Sequence, residues 1–340
     1  MESKGYVIGA LSFLMILPSI LLLMVLIDML NLDNTSNTML KSDTAYYITG
    51  DVERNIPAIT RQSLNEIIDN TIKTGDPLPN SRIVMKSLIE NKMGHINAVY
   101  KNQSGLNIKC IITSVDSASN PFEIEVNSTI LVSKDNISFN RNVCQKISIL
   151  GSYYPKKISL DPDSFLTIRD PLPFIKCKKF GGLNVKEGKI IYGSSLTKYL
   201  NSRGVKGADI YENAISPLYI KRCPYEPYIS HGNSRRYMTL KNCIENQYYH
   251  ESSDGACILC RLEGKSTCNH YGFETFIIPA PSYNHRTLRA PCSIDHVIFN
   301  DMPFGDTYQG DAVEYYFNRN VSYNIFLDNG HRTKYGVLNV

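Results

Sequence analysis

Apolar and polar positions divide the chain into stretches with three different periods. From Tyr6 to Ile27 (YVIGALSFLMILPSILLLMVLI) there is no period: twenty-two residues pass without a charge. As a helix such a run rises about 33 Å, close to the ~30 Å hydrocarbon core of a bilayer. The pattern therefore predicts a single N-terminal transmembrane helix over 6–29, kinked at Pro18. Residues 1–5 then form a short cytoplasmic leader. Residues 30–50, polar and poor in large apolar groups, read as a stalk.

From residue 51 the period becomes helical. Val52, Ile56, Ile59, Leu64, Ile67, Ile68 and Ile72 fall near one face, with Asp51 as N-cap and Gly75 as the stop. A second helix is predicted over about 81–94, carrying Ile83, Leu88, Ile89 and Met93. The period then drops to two. Leu106 to Val115 and Phe122 to Leu150 are rich in β-branched residues, and FEIEV alternates cleanly. Residues 51–150 thus read as an α+β module. A connector at 151–175 carries Pro155, Pro162, Pro171 and Pro173. Region 176–340 is a cysteine-rich, β-rich domain with short strands among Gly, Pro, Asn and Asp. Near its end Asn329-Gly330 predicts a hairpin turn. The fold class expected is α+β: one transmembrane helix, a helical segment, then an antiparallel ectodomain.

Charge sets the topology. Lys4 precedes the apolar run, while Asp28 and Asp33 follow it. The positive-inside rule then places the N-terminus in the cytoplasm. The protein is expected at the cell membrane, single-pass, with the bulk extracytoplasmic and residues 6–29 in contact with the lipid bilayer. Nine cysteines, seven of them from Cys177 to Cys292, agree with an oxidising compartment. Five N-x-S/T sequons (Asn34, Asn102, Asn127, Asn136, Asn320) all follow the run, but a signal this short carries little weight. The net charge of +4 is modest and the basic residues are scattered, which excludes a nucleic-acid patch. The 22 tyrosines beside no tryptophan read as packing in a half-exposed β-rich domain.

The densest chemistry lies in the cysteine-rich region. Cys110, Cys144, Cys177, Cys223, Cys243, Cys257, Cys260, Cys268 and Cys292 are all disulfide candidates, and their odd number leaves one over. Cys257-x-x-Cys260 is a good metal-ligand pair. Cys268-x-His270, with one residue between its ligands, is a poorer second pair; Cys243 and His250 lie upstream. The cofactor expectation is none, with a structural zinc on Cys257, Cys260, Cys268 and His270 as the alternative and a redox dithiol as a third reading. Gly264–Thr267 (GKST) lacks the earlier glycine of a phosphate loop, since residue 259 is Leu259. His250-Glu251 lacks the second His of a zincin helix, since residue 254 is Asp254. Asp295, His296, His285, His331, Asp328, Asp254, Glu263 and Glu274 are acid–base residue types whose spacing specifies no site. No catalytic residue is assigned.

Ser3-Lys4-Gly5 followed by Tyr6-Val-Ile-Gly-Ala-Leu resembles the start of archaeal type IV pilin-like proteins, in particular minor pilins and pseudopilins. The resemblance covers about thirty residues. It implies processing after Gly5, with Lys4 and Gly5 as the recognition site and Tyr6 as the new N-terminus. It also implies packing against other pilin-like subunits. Ala10 stands where the family commonly has an acidic residue, and the head is larger than that of a major pilin. The functional expectation is a surface protein, pilin-like or adhesin-like, with a binding or structural role. The alternatives are a membrane-tethered extracytoplasmic enzyme or a zinc-stabilised binding module, either one using the Cys/His region 243–296.

Overall fold

The computed structural model describes residues 3–135, 137–151, 167–180, 183–184, 219–232, 239–277, 292–296, 298–299, 309–317, 321–327 and 329–337. The fold is α+β. It begins with two helices, α1 (Ser3–Thr74) and α2 (Ser81–Ser104), followed by β1 (Asn107–Ser117), β2 (Glu123–Lys134) and β3 (Ile137–Ser148). These strands form a three-stranded sheet in sequence order.

Among the described residues, no helix is long and apolar enough to cross a membrane. This corrects the expected transmembrane helix over 6–29, and with it the single-pass topology and the cell-membrane location derived from it. The apolar run is not a separate spanning element but the first part of α1, which continues unbroken through the polar residues 30–50 to Thr74. Residues 30–50 are helical as well, so Asp51 lies inside α1 and caps nothing. Lys4, Gly5 and Tyr6 fall in the first turns of α1, and their side chains lie outside the described residues.

The buried stripe of α1 runs through Ala45, Ile48, Val52, Ile56, Ile59, Leu64, Ile67 and Ile68 at helical spacing. Two polar residues on the stripe are satisfied within the helix: Thr49 Oγ1 donates to Ala45 O and Thr71 Oγ1 to Ile67 O, both at 2.7 Å. The stop at Gly75 is as expected. Its φ of +69° lies in the left-handed region, and its N–H closes on Thr71 O at 2.9 Å. The Asn80 side chain then caps α2 by accepting Ile83 N–H at 3.1 Å. α2 is ten residues longer than expected and buries Met85, Ile89 and Met93, while Ile83 is exposed. The period-two reading of β2 holds: Ile124, Val126, Ser128, Ile130 and Val132 alternate inward.

The remaining elements are short. They are β4 (Thr167–Arg169), a 3-10 turn (Leu172–Phe174), β5 (Lys179–Phe180), β6 (Leu183–Asn184), β7 (Tyr219–Arg222), a second 3-10 turn (Tyr228–Ser230), α3 (Leu240–Glu245), β8 (Tyr248–Ser252), α4 (Ile258–Leu262), β9 (Gly272–Glu274), β10 (Phe276–Ile277), β11 (Cys292–Ile294), β12 (Ile298–Phe299), β13 (Gln309–Phe317), β14 (Val321–Leu327) and α5 (Asn329–Tyr335). One sheet has the order β4-β7-β8-β9, and another the order β10-β11-β14-β13-β12. Both mix parallel and antiparallel pairs: β7 runs parallel to β8, and β11 parallel to β14. The purely antiparallel expectation is corrected here. Asn329-Gly330 opens α5 rather than turning a hairpin. The connector residues 152–166 lie outside the described residues.

The chain divides into two compact units. One comprises Met1–Asn55, Gly94–Ile111 and Thr129–Val143; the other comprises Ile56–Met93, Ile112–Ser128 and Cys144–Val340. Lys4, Gly5, Tyr6 and Cys110 lie in the first, while the candidate metal ligands and acid–base residues lie in the second. Its core includes Cys223, Leu240, Cys243, Ile244, Phe276, Ile294, Leu327, Tyr335 and Val337. A second anchor is the fully buried Arg261, paired with Asp170 at 2.5 Å and Asp295 at 2.6 Å and stacked on Phe273 at 4.7 Å. Unpaired, any one of these charges would be expensive to bury; together they lock β4, α4 and the turn after β11 to one another.

Candidate functional site

The Cys257-x-x-Cys260 pair is set by one turn of helix. Cys257 is the N-cap of α4, and its carbonyl accepts Arg261 N–H at 2.9 Å. Three residues on, Cys260 lies on the same side of the turn. Its carbonyl accepts both Glu263 N–H (3.0 Å) and Lys265 N–H (3.1 Å), which curls the chain back. Gly264, at φ +75°, makes that curl; a Cβ there would meet Lys176 O at 2.5 Å. The glycine of GKST is thus a knuckle glycine. The returning chain brings Cys268, whose Sγ accepts backbone N–H groups from Cys257 and His270, each at 3.4 Å. His270 Nδ1 lies 3.5 Å from Cys260 Sγ.

One ligand atom from each of Cys257, Cys260, Cys268 and His270 lies within 4.8 Å of all the others. The one-residue gap between Cys268 and His270, a poor fit from sequence, is no obstacle, because the intervening backbone bends around the sulfur. Hydrogen bonds from Cys257 and Cys260 push the Cys268 thiol down to about 2 against the opposing effect of burial. The same bonding pushes Cys260 up. From α2, Arg82 reaches Cys260 Sγ at 3.9 Å and the His270 nitrogens at 3.1 and 3.4 Å. Arg82 is itself held by Asp116 at 2.8 Å.

A second set, Cys223, His231, Cys243 and His250, meets the same 4.8 Å criterion, with all four side chains buried. Cys223 follows β7, and its N–H donates to Tyr249 O at 3.1 Å. His231 follows the 3-10 turn of Tyr228–Ser230. Cys243 rides on α3, which is capped by the Thr239 side chain, and His250 sits on β8. Cys223 Sγ is 3.8 Å from Cys243 Sγ and 3.3 Å from His231 Nε2. The Cys243 hydrogen bond, aided by His231 and His250, outweighs burial and pushes the Cys223 thiol down to about 3. Burial and the Cys223 charge push Cys243 up. Burial lowers His250, outweighing the pull of Cys223 and Glu274 in the other direction.

A third buried group gathers around Glu274 on β9. Its Oε2 faces His296 Nε2 at 3.1 Å and His331 Nε2 at 3.0 Å. Its Oε1 takes Lys334 Nζ at 2.8 Å and the Tyr335 hydroxyl. Burial opposes its charge, but Lys334, His331 and His296 hold the carboxyl well below the usual range. Of the acid–base candidates, the structure unites Glu274, His296 and His331. Asp295 turns to Arg261, Glu263 to Ser81 and Lys265, and Asp254 to the Ser253 hydroxyl. His285 and Asp328 lie outside the described residues. Lys334 already supplies a cation at Glu274, so this cluster is a saturated charge hub.

Cys110, Cys144 and Cys177 belong to neither quartet, and burial pushes the Cys177 thiol up to about 12. The eight described cysteines are thiols; the Cys292 side chain lies outside the described residues.

The fold and these groups define an α+β protein whose buried Cys/His sets could hold a metal ion. No protein-family model, curated protein or solved structure matches the chain.

Proposed function

We propose that the chain is a zinc-stabilised binding module, with the zinc held by Cys257, Cys260, Cys268 and His270. The observation that carries this reading is the convergence of four soft ligand atoms, all from one short segment, within 4.8 Å of one another. With Zn–S of about 2.3 Å and Zn–N of about 2.05 Å, a tetrahedron has edges of about 3.8 Å (S–S) and about 3.6 Å (S–N). The 3.5 Å from Cys260 Sγ to His270 Nδ1 is close to such an edge. Thiolate and imidazole donors select zinc over magnesium or calcium. Four protein ligands close the coordination sphere, which is the arrangement of a structural rather than a catalytic zinc. Three thiolates and one Zn²⁺ leave one net negative charge, and Arg82 lies beside them to balance it. Ligation through Nδ1 puts the His270 proton on Nε2, so the Arg82–His270 contact must shift aside when metal binds.

Metal analysis of the full chain, purified under reducing conditions with zinc, tests the proposal. The expected result is stoichiometric zinc, one equivalent of which is lost in Cys257→Ser/Cys260→Ser. Zinc content unchanged by that substitution, or a disulfide linking these cysteines in the native protein, would overturn it.

A further inference from the structure

We propose that Cys223, His231, Cys243 and His250 form a second, independent zinc centre, and that Glu274, acting through Tyr335, sets the proton of His250 so that this ring can ligate.

The argument starts from one proton. The Tyr335 hydroxyl meets two acceptor-capable atoms, a Glu274 oxygen and His250 Nδ1, the latter at 2.9 Å. A phenol has one hydrogen to give. Glu274 is a carboxylate ringed by Lys334, His296 and His331, so it has only lone pairs to offer. The tyrosine proton therefore goes to Glu274, and the hydrogen bond to His250 must be donated by His250 Nδ1–H. A neutral imidazole carries one N–H, so His250 Nε2 is bare. That atom is buried and faces the Cys223 sulfur, itself a member of the quartet. A fully buried ring nitrogen with an unused lone pair costs free energy unless something accepts it. Here it belongs to the quartet of Cys223, Cys243 and His231.

The geometry of the quartet agrees. The 3.8 Å between Cys223 Sγ and Cys243 Sγ equals the S–S edge of a zinc tetrahedron, about 3.8 Å. Charge agrees as well: two thiolates, two neutral imidazoles and Zn²⁺ sum to zero. A neutral centre suits the apolar core in which Cys223 and Cys243 lie beside Leu240, Ile244 and Phe276. Glu274 and Tyr335 are positioning residues. They touch no metal, but they fix the tautomer and orientation of a ligand, which is the usual task of groups just outside a metal's ligands. Because Lys334 and Tyr335 both belong to α5, the relay also ties that helix to the centre.

This inference does not depend on the Cys257 site, and zinc counting separates the two. Wild type should hold two zinc ions per chain. Cys223→Ser/Cys243→Ser should keep one and Cys257→Ser/Cys260→Ser should keep the other. One zinc, insensitive to Cys223→Ser/Cys243→Ser, would overturn the second centre and leave the first. One zinc lost only in Cys223→Ser/Cys243→Ser would do the reverse, and no zinc at all would overturn both. A Cys223–Cys243 disulfide in the native protein would also sink the second centre. Since the serine pair sits in the core and can misfold, Tyr335→Phe supplies a milder probe. Competition with a chromogenic chelator should show one of two zinc sites weakened by about 10–100-fold and the other unchanged. Nitrogen NMR of the metal-free chain should find His250 protonated on Nδ1 in wild type and not fixed there in Tyr335→Phe. Equal weakening of both sites, or a His250 tautomer indifferent to Tyr335, would overturn the relay.

Discussion

The two quartets hold similar ligands in opposite settings. Cys257, Cys260, Cys268 and His270 come from fourteen consecutive residues, and Cys268 and His270 are part-exposed beside a guanidinium. Cys223, His231, Cys243 and His250 come from the residue after β7, the residue after a 3-10 turn, α3 and β8, and all are buried. The first set is built by local backbone geometry: a helix N-terminus, a left-handed glycine and a sulfur that accepts two backbone N–H groups. The second is built by tertiary packing, and the proposed Glu274–Tyr335 relay orients its His250 ring. Local construction allows a charged centre with a cation at its side. Core construction requires a neutral one.

The largest test of this contrast is metal removal. Zinc binding in small domains is worth on the order of 10 kcal/mol and is coupled to folding. A strong chelator should therefore collapse the protein in two stages as melting is followed. The Cys257 site should empty first, because Cys268 and His270 are the more exposed. Stripping the core site should then abolish the cooperative transition. A single simultaneous loss would erase the distinction between a local and a core centre.

Single ligand substitutions sharpen it further. Cys243→Ser places an unpaired hydroxyl in the core and removes a ligand, whereas Cys268→Ser keeps some access to water. The core variant should lose at least 2 kcal/mol more in denaturant melts, about the cost of burying an unsatisfied polar group. Equal losses would mean that the core quartet holds nothing. At the next level down, Arg82→Gln should weaken zinc at the Cys257 site by about 10-fold and leave the core site alone.

The sequence disclosed these two regions unequally, for the same physical reason. Cys257, Cys260, Cys268 and His270 were readable because they are close in the chain and one helical turn pairs the first two. The Cys223 set was not. Its members are separated by seven, eleven and six residues, and only the pairing of β7 with β8 and the docking of α3 close the gaps. Tyr335 and Glu274 lie farther away still, and nothing in their types announces a partner for His250. In the fold, β2 was legible because a half-buried strand writes its period into the chain. The α1 start was not, since Asp51 looks like a cap and yet sits inside a continuous helix. Asn329-Gly330, expected to turn a hairpin, opens α5 instead, because a helix can begin where a hairpin might turn. The apolar run has the length and the lack of charge of a spanning element, yet among the described residues no helix is long and apolar enough to cross a membrane.

The smallest expected effect concerns protons around the two regions. Glu263, at the edge of the Cys257 knuckle, accepts Ser81 N–H at 3.0 Å, Ser81 Oγ at 2.9 Å and Lys265 Nζ at 2.6 Å. Burial raises its carboxyl, but Lys265 and Ser81 outweigh that and leave it lowered. A carboxyl lowered on folding contributes stability that is complete above its unfolded value, about 4.3. That contribution fades as pH falls through the lower folded value. Glu274, held well below the usual range by more donors, follows the same sign but keeps its charge to more acidic pH. On acidification the Glu263 contribution should therefore fade first. Glu263→Gln should cost about 1 kcal/mol at neutral pH and flatten the first part of the acid limb. Glu274→Gln should leave that part unchanged and remove a later one. Acid titration of the melting midpoint in the two variants checks the order. The reverse order would mean that the outer region, not the core, holds its charges more tightly.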